Sequence, residues 1–173
     1  MISRKQQRVA LGMGVGAAFT ALILACPPRW FGIPVPTDPA ARLAFAVRAD
    51  AVTMLWLLAA IANVARRRFF SPADIDGSGF ASASARLGID VAVVQNTLEQ
   101  AVLASVLYLA LACLPHPDDA AIIPQLLTLF CLGRLTFWIG YRYGAPWRAF
   151  GFAVTFYPTV FGYFLWALKL MRA

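Results

Sequence analysis

Long apolar stretches, each bounded by polar or turn-forming residues, dominate the pattern of hydrophobic and polar positions along the chain. Five of them are near the length of about 20 residues that a helix needs to cross a bilayer. They are residues 9–26, 43–65, 89–114, 120–141 and 149–170. The pattern predicts an all-α integral membrane protein with five transmembrane helices.

The second apolar stretch is the weakest of the five, because Arg48 and Asp50 lie within its first turns. Charged side chains near the end of a membrane helix can extend toward the headgroups. We expect both side chains to point outward, which leaves residues 51–65 as the apolar body of this helix.

The connections between the stretches contain residues that end helices. Five prolines between residues 27 and 39 predict an irregular interfacial segment that includes Trp30 and Phe31. Residues 71–84 are rich in Gly, Ser and Asp and predict a solvent loop, and short turns are predicted at 115–117 and 144–146.

Composition supports the membrane interpretation. The chain has 173 residues, of which 61% are hydrophobic and 13% charged, whereas a soluble domain is about half apolar and a quarter charged. A chain of this length is too short to bury helices that are apolar on all sides in a core of its own. The three cysteines lie in or beside apolar stretches without metal-ligand spacing, so we expect buried thiols and no metal site.

The formal net charge of +7 does not indicate a nucleic-acid-binding surface, because the basic residues fall at the ends of the apolar stretches. If the N-terminus is cytoplasmic, nine of them lie inside and five outside. The inner set is Arg4, Lys5, Arg8, Arg66, Arg67, Arg68, Arg86, Arg142 and Arg148, and the outer set is Arg29, Arg42, Arg48, Lys169 and Arg172. The excess predicts a cytoplasmic N-terminus and an external C-terminus.

The first apolar stretch has a second interpretation. Basic residues followed by an apolar run that ends in Ile23-Leu24-Ala25-Cys26 loosely resemble a secretory or lipoprotein signal. We expect a retained transmembrane helix instead. Gly12, Gly14 and Gly16 within it favour close helix packing rather than nucleotide binding.

Four polar residues interrupt the third stretch: Gln95, Asn96, Glu99 and Gln100. The last three are spaced i, i+3 and i+4, so they share one helix face. Glu99 lies roughly 15 Å along the helix from Ile89, near the middle of the bilayer. A lone carboxylate there costs several kcal/mol, so Glu99 must be paired, protonated or exposed to water.

Arg134, in the fourth stretch, is the expected partner of Glu99, from the same chain or from a neighbouring one. It lies about 10 Å from the cytoplasmic end of its helix. Tyr141, Arg142 and Arg148 follow at that end and predict a cavity that is open to the inner side. Intramembrane polar residues also serve simply to hold helices together, but the clustering favours a ligand site for a small, partly anionic molecule.

Residues 74–79 have the sequence Asp-Ile-Asp-Gly-Ser-Gly, which is similar to the start of a calcium-binding loop. The twelfth position, where such a loop has a bidentate Glu, is Ala85. We therefore expect a solvated turn and not a calcium site.

Three segments resemble one known family. Asn96-Thr97-Leu98-Glu99 resembles the N-x-x-E signature of the MAPEG family, the membrane-associated proteins in eicosanoid and glutathione metabolism. Residues 133–141 (GRLTFWIGY) and 146–152 (PWRAFGF) resemble the third helix of that family and the start of its fourth. The resemblance extends from about residue 51 to the C-terminus. It leaves the first helix as an addition to the four that the family has.

The resemblance implies a homotrimer of four-helix bundles that holds glutathione between neighbouring subunits at the cytoplasmic side. It assigns glutathione binding to Asn96, Glu99, Arg134 and Tyr141, and it assigns stabilisation of the thiolate to Arg148, the catalytic residue. An arginine near a thiol lowers the thiol pKa. The corresponding domains are 1–42, the extra helix with its Pro-rich connection, and 43–173, the four-helix domain.

Two positions depart from the family pattern. Ala92 stands where glutathione-binding members have an arginine, and Phe137 stands where they have a tyrosine.

The function implied is a glutathione-dependent transferase or peroxidase that acts on a lipophilic substrate in a bacterial inner membrane. The alternative is a non-catalytic lipid-binding or accessory subunit, with the first helix available to a partner protein. A transporter ranks third, because the sequence has no pair of broken helices.

Overall fold

The computed structural model describes residues 2–31, 33–77 and 84–172. Within these ranges the chain forms only helices, which confirms the predicted all-α fold. The α-helices are α1 (Arg4–Ala25), α2 (Pro39–Phe69), α3 (Ala85–Ala112), α4 (Ile123–Tyr141) and α5 (Ala145–Leu170), and short 3-10 helices span Pro28–Phe31 and Pro117–Ile122.

Four of the helical segments are long and apolar enough to cross a membrane. They are α1, α2, α4 with its preceding 3-10 helix, and α5. At 28 residues α3 is also long enough, but its polar residues between Gln95 and Gln100 lower its hydropathy. The membrane crossing of α3 therefore stays a prediction.

Polar side chains at the N-termini explain why three helices begin before their apolar stretches. Ser3 and Gln6 form a reciprocal capping box at the start of α1. The Asp38 carboxylate accepts from the Ala41 N–H at 2.8 Å, and the Ser84 hydroxyl accepts from the Leu87 N–H at 3.2 Å. These side chains satisfy N–H groups that have no partner within the helix.

The helices pack as two antiparallel pairs, α2 with α3 and α4 with α5, and α1 lies along α5. Gly12 and Gly16 of α1 lie opposite Ala149 and Ala153 of α5, so α1 and α5 run parallel. The predicted packing role is thus confirmed for these two glycines, whereas Gly14 has no neighbour within 4 Å. Because successive helices alternate in direction, the nine basic residues of the predicted inner set lie at one end of the bundle.

Three charged side chains near the opposite end pack into the protein. Arg42, which is only 3% exposed, donates to the Leu114 carbonyl, two residues beyond the end of α3, at 3.0 Å. Lys169 forms an ion pair with Asp119. These contacts fasten α2, α3, α5 and the second 3-10 helix to one another.

The expectation that Arg48 and Asp50 both point outward is half right. Arg48 is exposed. One carboxylate oxygen of Asp50 is buried without a hydrogen-bond partner among the described residues. The reason is its position beside Ala49, which is on the face of α2 that packs into the core.

Asp74 organises the loop between α2 and α3. Its carboxylate accepts hydrogen bonds from the Ser84 N–H at 2.9 Å and from the Ser71 hydroxyl at 2.7 Å. These two donors hold the pKa of the Asp74 carboxyl below its ordinary value. Asp74 is therefore buried and hydrogen-bonded, and it is not the solvated residue that was expected. Residues 78–83, on which the calcium comparison also depends, lie outside the described ranges.

Candidate functional site

A cavity of about 330 Å³ lies between α1, α3, α4 and α5 toward the basic end of the bundle. Its lining residues are Val9, Met13, Ala92, Asn96, Phe137, Tyr141, Ala145, Arg148, Ala149 and Phe152. The volume falls at the lower end of the range of about 300–1,000 Å³ that small-molecule sites occupy. The structure thus brings Asn96, Tyr141 and Arg148, three of the five predicted site residues, to one cavity.

The tight turn between α4 and α5 places Arg148 beside Tyr141. Gly144 in this turn has a φ of +99°, a conformation that favours glycine. The Arg148 guanidinium carbon lies 4.2 Å from the centre of the Tyr141 ring, within the range of a cation–π contact. This contact holds the guanidinium at the cavity wall.

Arg134 lies behind the cavity rather than in its lining. It is 1% exposed, and its Nη1 donates to the Asn96 Oδ1 at 2.9 Å. Its Nε and Nη2 donate to the Thr155 hydroxyl at 3.2 and 3.0 Å. Arg134 therefore fixes the Asn96 amide from behind, and a direct contact between Arg134 and a ligand stays a prediction.

The surroundings of Arg134 allow a buried cation without a carboxylate partner among the described residues. Its guanidinium carbon lies 4.6 Å from the Phe137 ring centre and 5.9 Å from that of Phe130. Thr155 is held in turn, because its hydroxyl donates to the Gly151 carbonyl at 3.0 Å. The two aromatic rings, the Thr155 hydroxyl oxygen and the Asn96 amide oxygen stabilise the charge that a salt bridge was expected to neutralise.

The expected pair between Glu99 and Arg134 does not form within the chain. Glu99 is exposed and accepts a hydrogen bond from Gln95 Nε2 at 2.9 Å. Gln100 points inward instead, at 3% exposure. The side chains of three residues on one face of a helix still point in directions that differ by tens of degrees around the helix axis. This difference turns Asn96 and Gln100 inward and Glu99 outward.

Sequence reasoning missed three residues of this region. Thr155, the main partner of Arg134, is one of two threonines in the apolar helix α5, and no pattern in the sequence distinguishes it from Thr159. Val9 and Met13 line the cavity from α1, the helix that the family resemblance leaves out. The spacing of Gly12 and Gly16 was the available signal, since it predicted that α1 packs closely against another helix.

Both departures from the family pattern lie in this cavity. Ala92 and Phe137 are lining residues, and Phe137 also packs edge-on against Tyr141 with ring centres 5.4 Å apart. The wall therefore has an alanine methyl and an aromatic edge where the resemblance implies a guanidinium and a phenol.

These features define a class of protein: an apolar helical bundle of the membrane with a small polar cavity at its basic end. The chain matches the MAPEG family over residues 43–168, and it belongs to that family. The match covers α2 to α5 and leaves α1 as an additional N-terminal helix. Among curated proteins and solved structures, none matches the chain. Family membership supports a membrane function in glutathione or eicosanoid metabolism in general terms.

Proposed function

We propose that the protein is a glutathione-dependent transferase or peroxidase that acts on a lipophilic substrate. The observation that supports the proposal best is the convergence of Asn96, Tyr141 and Arg148 on one cavity. Glutathione carries two carboxylates and a thiol, and these groups require cationic and hydrogen-bond-donating partners.

The residues of the cavity fit such a ligand. Arg148 forms no ion pair with another described residue, so its guanidinium has donors for an anion. Asn96 uses its amide oxygen to bind Arg134, which orients the amide NH₂ group as a donor for a ligand carboxylate or peptide carbonyl. The Tyr141 hydroxyl is a third donor.

In this proposal Arg148 is the catalytic residue. When bound, glutathione supplies a thiol whose thiolate form is the nucleophile. A guanidinium beside the thiol favours the thiolate and lowers the thiol pKa. The contact with Tyr141 keeps Arg148 in place, so that little reorganisation is needed when the charge develops.

The remaining walls suit a lipophilic substrate. Val9 and Met13 of α1 and Phe152 of α5 present apolar surface beside the polar groups. An apolar molecule can reach such a site from the bilayer. A site that contains few fixed donors and several apolar walls is typical of small-molecule recognition.

We further propose a homotrimer in which α3 lies near the axis. Glu99 is exposed on the single chain, together with Leu98, Val102 and Val106 of the same helix. A carboxylate in contact with acyl chains is costly, so this face of α3 is better placed at a subunit interface. There Glu99 is available to a ligand or to a charged group of a neighbour.

Calorimetry with the full-length chain in detergent tests the proposal. We expect wild-type protein to bind glutathione at millimolar concentration or below, and Arg148→Ala to bind it about ten- to hundredfold more weakly, the loss expected for a hydrogen bond to a charged group. In ultraviolet spectra, the absorbance of the glutathione thiolate should be lost in Arg148→Ala and partly restored in Arg148→Lys. Arg4→Ala, which removes an exposed charge from the same end of the bundle, is the matched control. Absence of binding to wild-type protein at millimolar glutathione would overturn the proposal.

The second candidate is a non-catalytic lipid-binding or accessory subunit. The observation that favours it is the presence of Ala92 and Phe137 in the cavity wall, because two donors to glutathione are missing there. This function predicts that wild-type protein binds a lipid in the cavity and no glutathione. Replacing Met13 with Trp would then reduce lipid binding, whereas Arg148→Ala would leave it nearly unchanged.

A further inference from the structure

A second cavity, of about 440 Å³, lies at the same end of the bundle and shares no lining residue with the first. It is lined by Arg66, Arg67, Arg86, Ile89, Asp90 and Arg142. The last turn of α2, the first turns of α3 and the C-terminal cap of α4 meet there. The two cavities thus differ in chemistry, since this one is lined almost entirely by charged groups.

The charges of this cavity are not balanced within the chain. It contains four guanidinium groups and one carboxylate. Asp90, at 3% exposure, forms an ion pair with Arg67, and Arg66 donates to the Asn63 side chain at 3.0 Å. All eight Asp and Glu residues of the sequence lie within the described ranges, and there none of them forms an ion pair with Arg86 or Arg142.

Solvation alone explains an isolated interfacial arginine, which extends into the headgroup region. It does not explain four guanidinium groups that line one concave space. Like charges at such proximity repel each other. Asp90 is buried and holds Arg67 at the wall, so this part of the cavity is set in place before any ligand arrives.

We infer that this cavity binds a phosphate group, and that the phosphate is the headgroup of an anionic phospholipid. A guanidinium group is planar and can donate two parallel N–H···O hydrogen bonds to the oxygens of one phosphate. The cavity lies at the C-terminal ends of α2 and α4. The exposed aromatic residues Phe69, Phe70 and Tyr143 follow its arginines in the sequence by one to four residues. Aromatic residues are enriched at the level of the headgroups, so a phospholipid can place its phosphate here while its acyl chains remain in the bilayer.

Native mass spectrometry of the full-length chain tests this inference. The probes are phosphatidylglycerol, phosphatidylcholine and inorganic phosphate, added separately to the detergent-solubilised protein. We expect one phosphatidylglycerol per chain to remain bound, with phosphatidylcholine much weaker. The double variant Arg86→Gln/Arg142→Gln should bind phosphatidylglycerol roughly thirtyfold more weakly. Each basic residue near anionic headgroups raises the affinity about five- to sixfold, and the two losses multiply.

The matched control is Arg4→Gln/Lys5→Gln, which removes two exposed charges from the same end of the bundle. It should bind the lipid as wild-type protein does. If inorganic phosphate binds alone and displaces the lipid, the phosphate site stands but its ligand is a soluble phosphate compound. Equal loss of lipid in both double variants would show unspecific attraction to the basic end and would overturn the site. Unchanged melting temperatures establish that each variant is folded.

Discussion

Helix α5 packs most extensively against α4 and α1, and these two interfaces are built differently. At the α4–α5 interface, glycines bring the two backbones into contact: a Cβ on Gly151 would collide with the backbone of Phe137, and one on Gly133 would lie 2.9 Å from the Thr155 nitrogen. At the α1–α5 interface, Gly12 and Gly16 face the methyl groups of Ala149 and Ala153. The first interface therefore leaves no room for a side chain, whereas the second has one layer of small side chains between the helices.

The two interfaces also differ in what they carry. The α4–α5 interface contains Thr155, which holds Arg134 and through it Asn96. Packing and site therefore depend on the same residues there. Helix α1 contributes Val9 and Met13 to the cavity wall and takes no part in the hydrogen bonds of Arg134. The part that matches the family thus couples fold and site, while the added helix modifies the cavity and leaves the network intact.

The largest effect is expected for Gly151→Ala. The added methyl group would overlap the Phe137 backbone, which cannot move without displacing α4. We expect a loss of stability at or above the upper end of the range of about 1–3 kcal/mol for overpacking. The measurement is the melting temperature and the monodispersity of the protein in detergent.

Gly88→Ala is the control for this substitution. Gly88 is an exposed position in α3 with no neighbour within 4 Å, and alanine has the higher helix propensity. A stable, monodisperse Gly151→Ala protein would contradict the close α4–α5 contact.

The sequence predicted well where the helices lie and that successive helices alternate in direction. The lengths of the apolar stretches determine the first, and the positions of the charged residues indicate the second. Of the five residues predicted to form one site, Asn96, Tyr141 and Arg148 line one cavity, and their roles in binding and catalysis stay predictions. The prediction was wrong on the partner of Arg134 within the chain: charge alone favours Glu99, but the tertiary arrangement turns Glu99 outward and presents Thr155 instead. A hydroxyl that completes a buried network depends on the rotation of two helices about their axes, and no local pattern encodes that rotation.

The second prediction separates the network from the packing. Thr155→Val keeps the shape of the side chain but removes the oxygen that accepts two hydrogen bonds from Arg134. Among the described residues the guanidinium then keeps only Asn96 as a hydrogen-bond partner, and we expect a loss of about 1–3 kcal/mol in the free energy of unfolding. Ligand binding should also weaken, because Asn96 is less firmly oriented.

Thr155→Ser is the matched variant, since it restores the hydroxyl without the methyl group. It should recover most of the binding, and a smaller part of the stability. If Thr155→Val and Thr155→Ser weaken binding equally, the hydroxyl does not position Asn96.

The third prediction concerns α1. In Gly16→Leu a side chain enters the space beside Ala153, where the new Cβ would lie 2.7 Å from the Ala153 methyl carbon. We expect α1 to shift away from α5, with faster amide hydrogen exchange in α1 and an altered cavity wall. Much of α1 is exposed on the single chain, so the helix can move and the effect on stability should remain near the lower end of about 1–3 kcal/mol.

Gly14→Leu adds the same side chain two residues away, where nothing lies within 4 Å. Amide exchange in α1 should then equal that of wild-type protein. Equal exchange in both variants would show that α1 is not held by the contact at Gly16.

The smallest effect is expected at the far end of α1. The Gln125 side chain of α4 donates from its Nε2 to the carbonyls of Ile23 and Cys26, at 3.0 and 2.7 Å, and so satisfies the end of α1 within the membrane region. Gln125→Met preserves the length of the side chain but removes both hydrogen bonds. Each is worth about 0.5–1.5 kcal/mol, and part of this is recovered because a buried amide is no longer desolvated. We expect the last turn of α1 to exchange its amide hydrogens faster, while residues near Val9 and Met13 exchange as before, because Gly12 and Gly16 still hold that half of the helix.

Gln125→Glu, which cannot donate when ionised, should give the same local pattern with a larger loss of stability. Faster exchange along the whole of α1 in Gln125→Met would mean that the hydrogen bonds, and not the glycine contacts, hold the helix on α5.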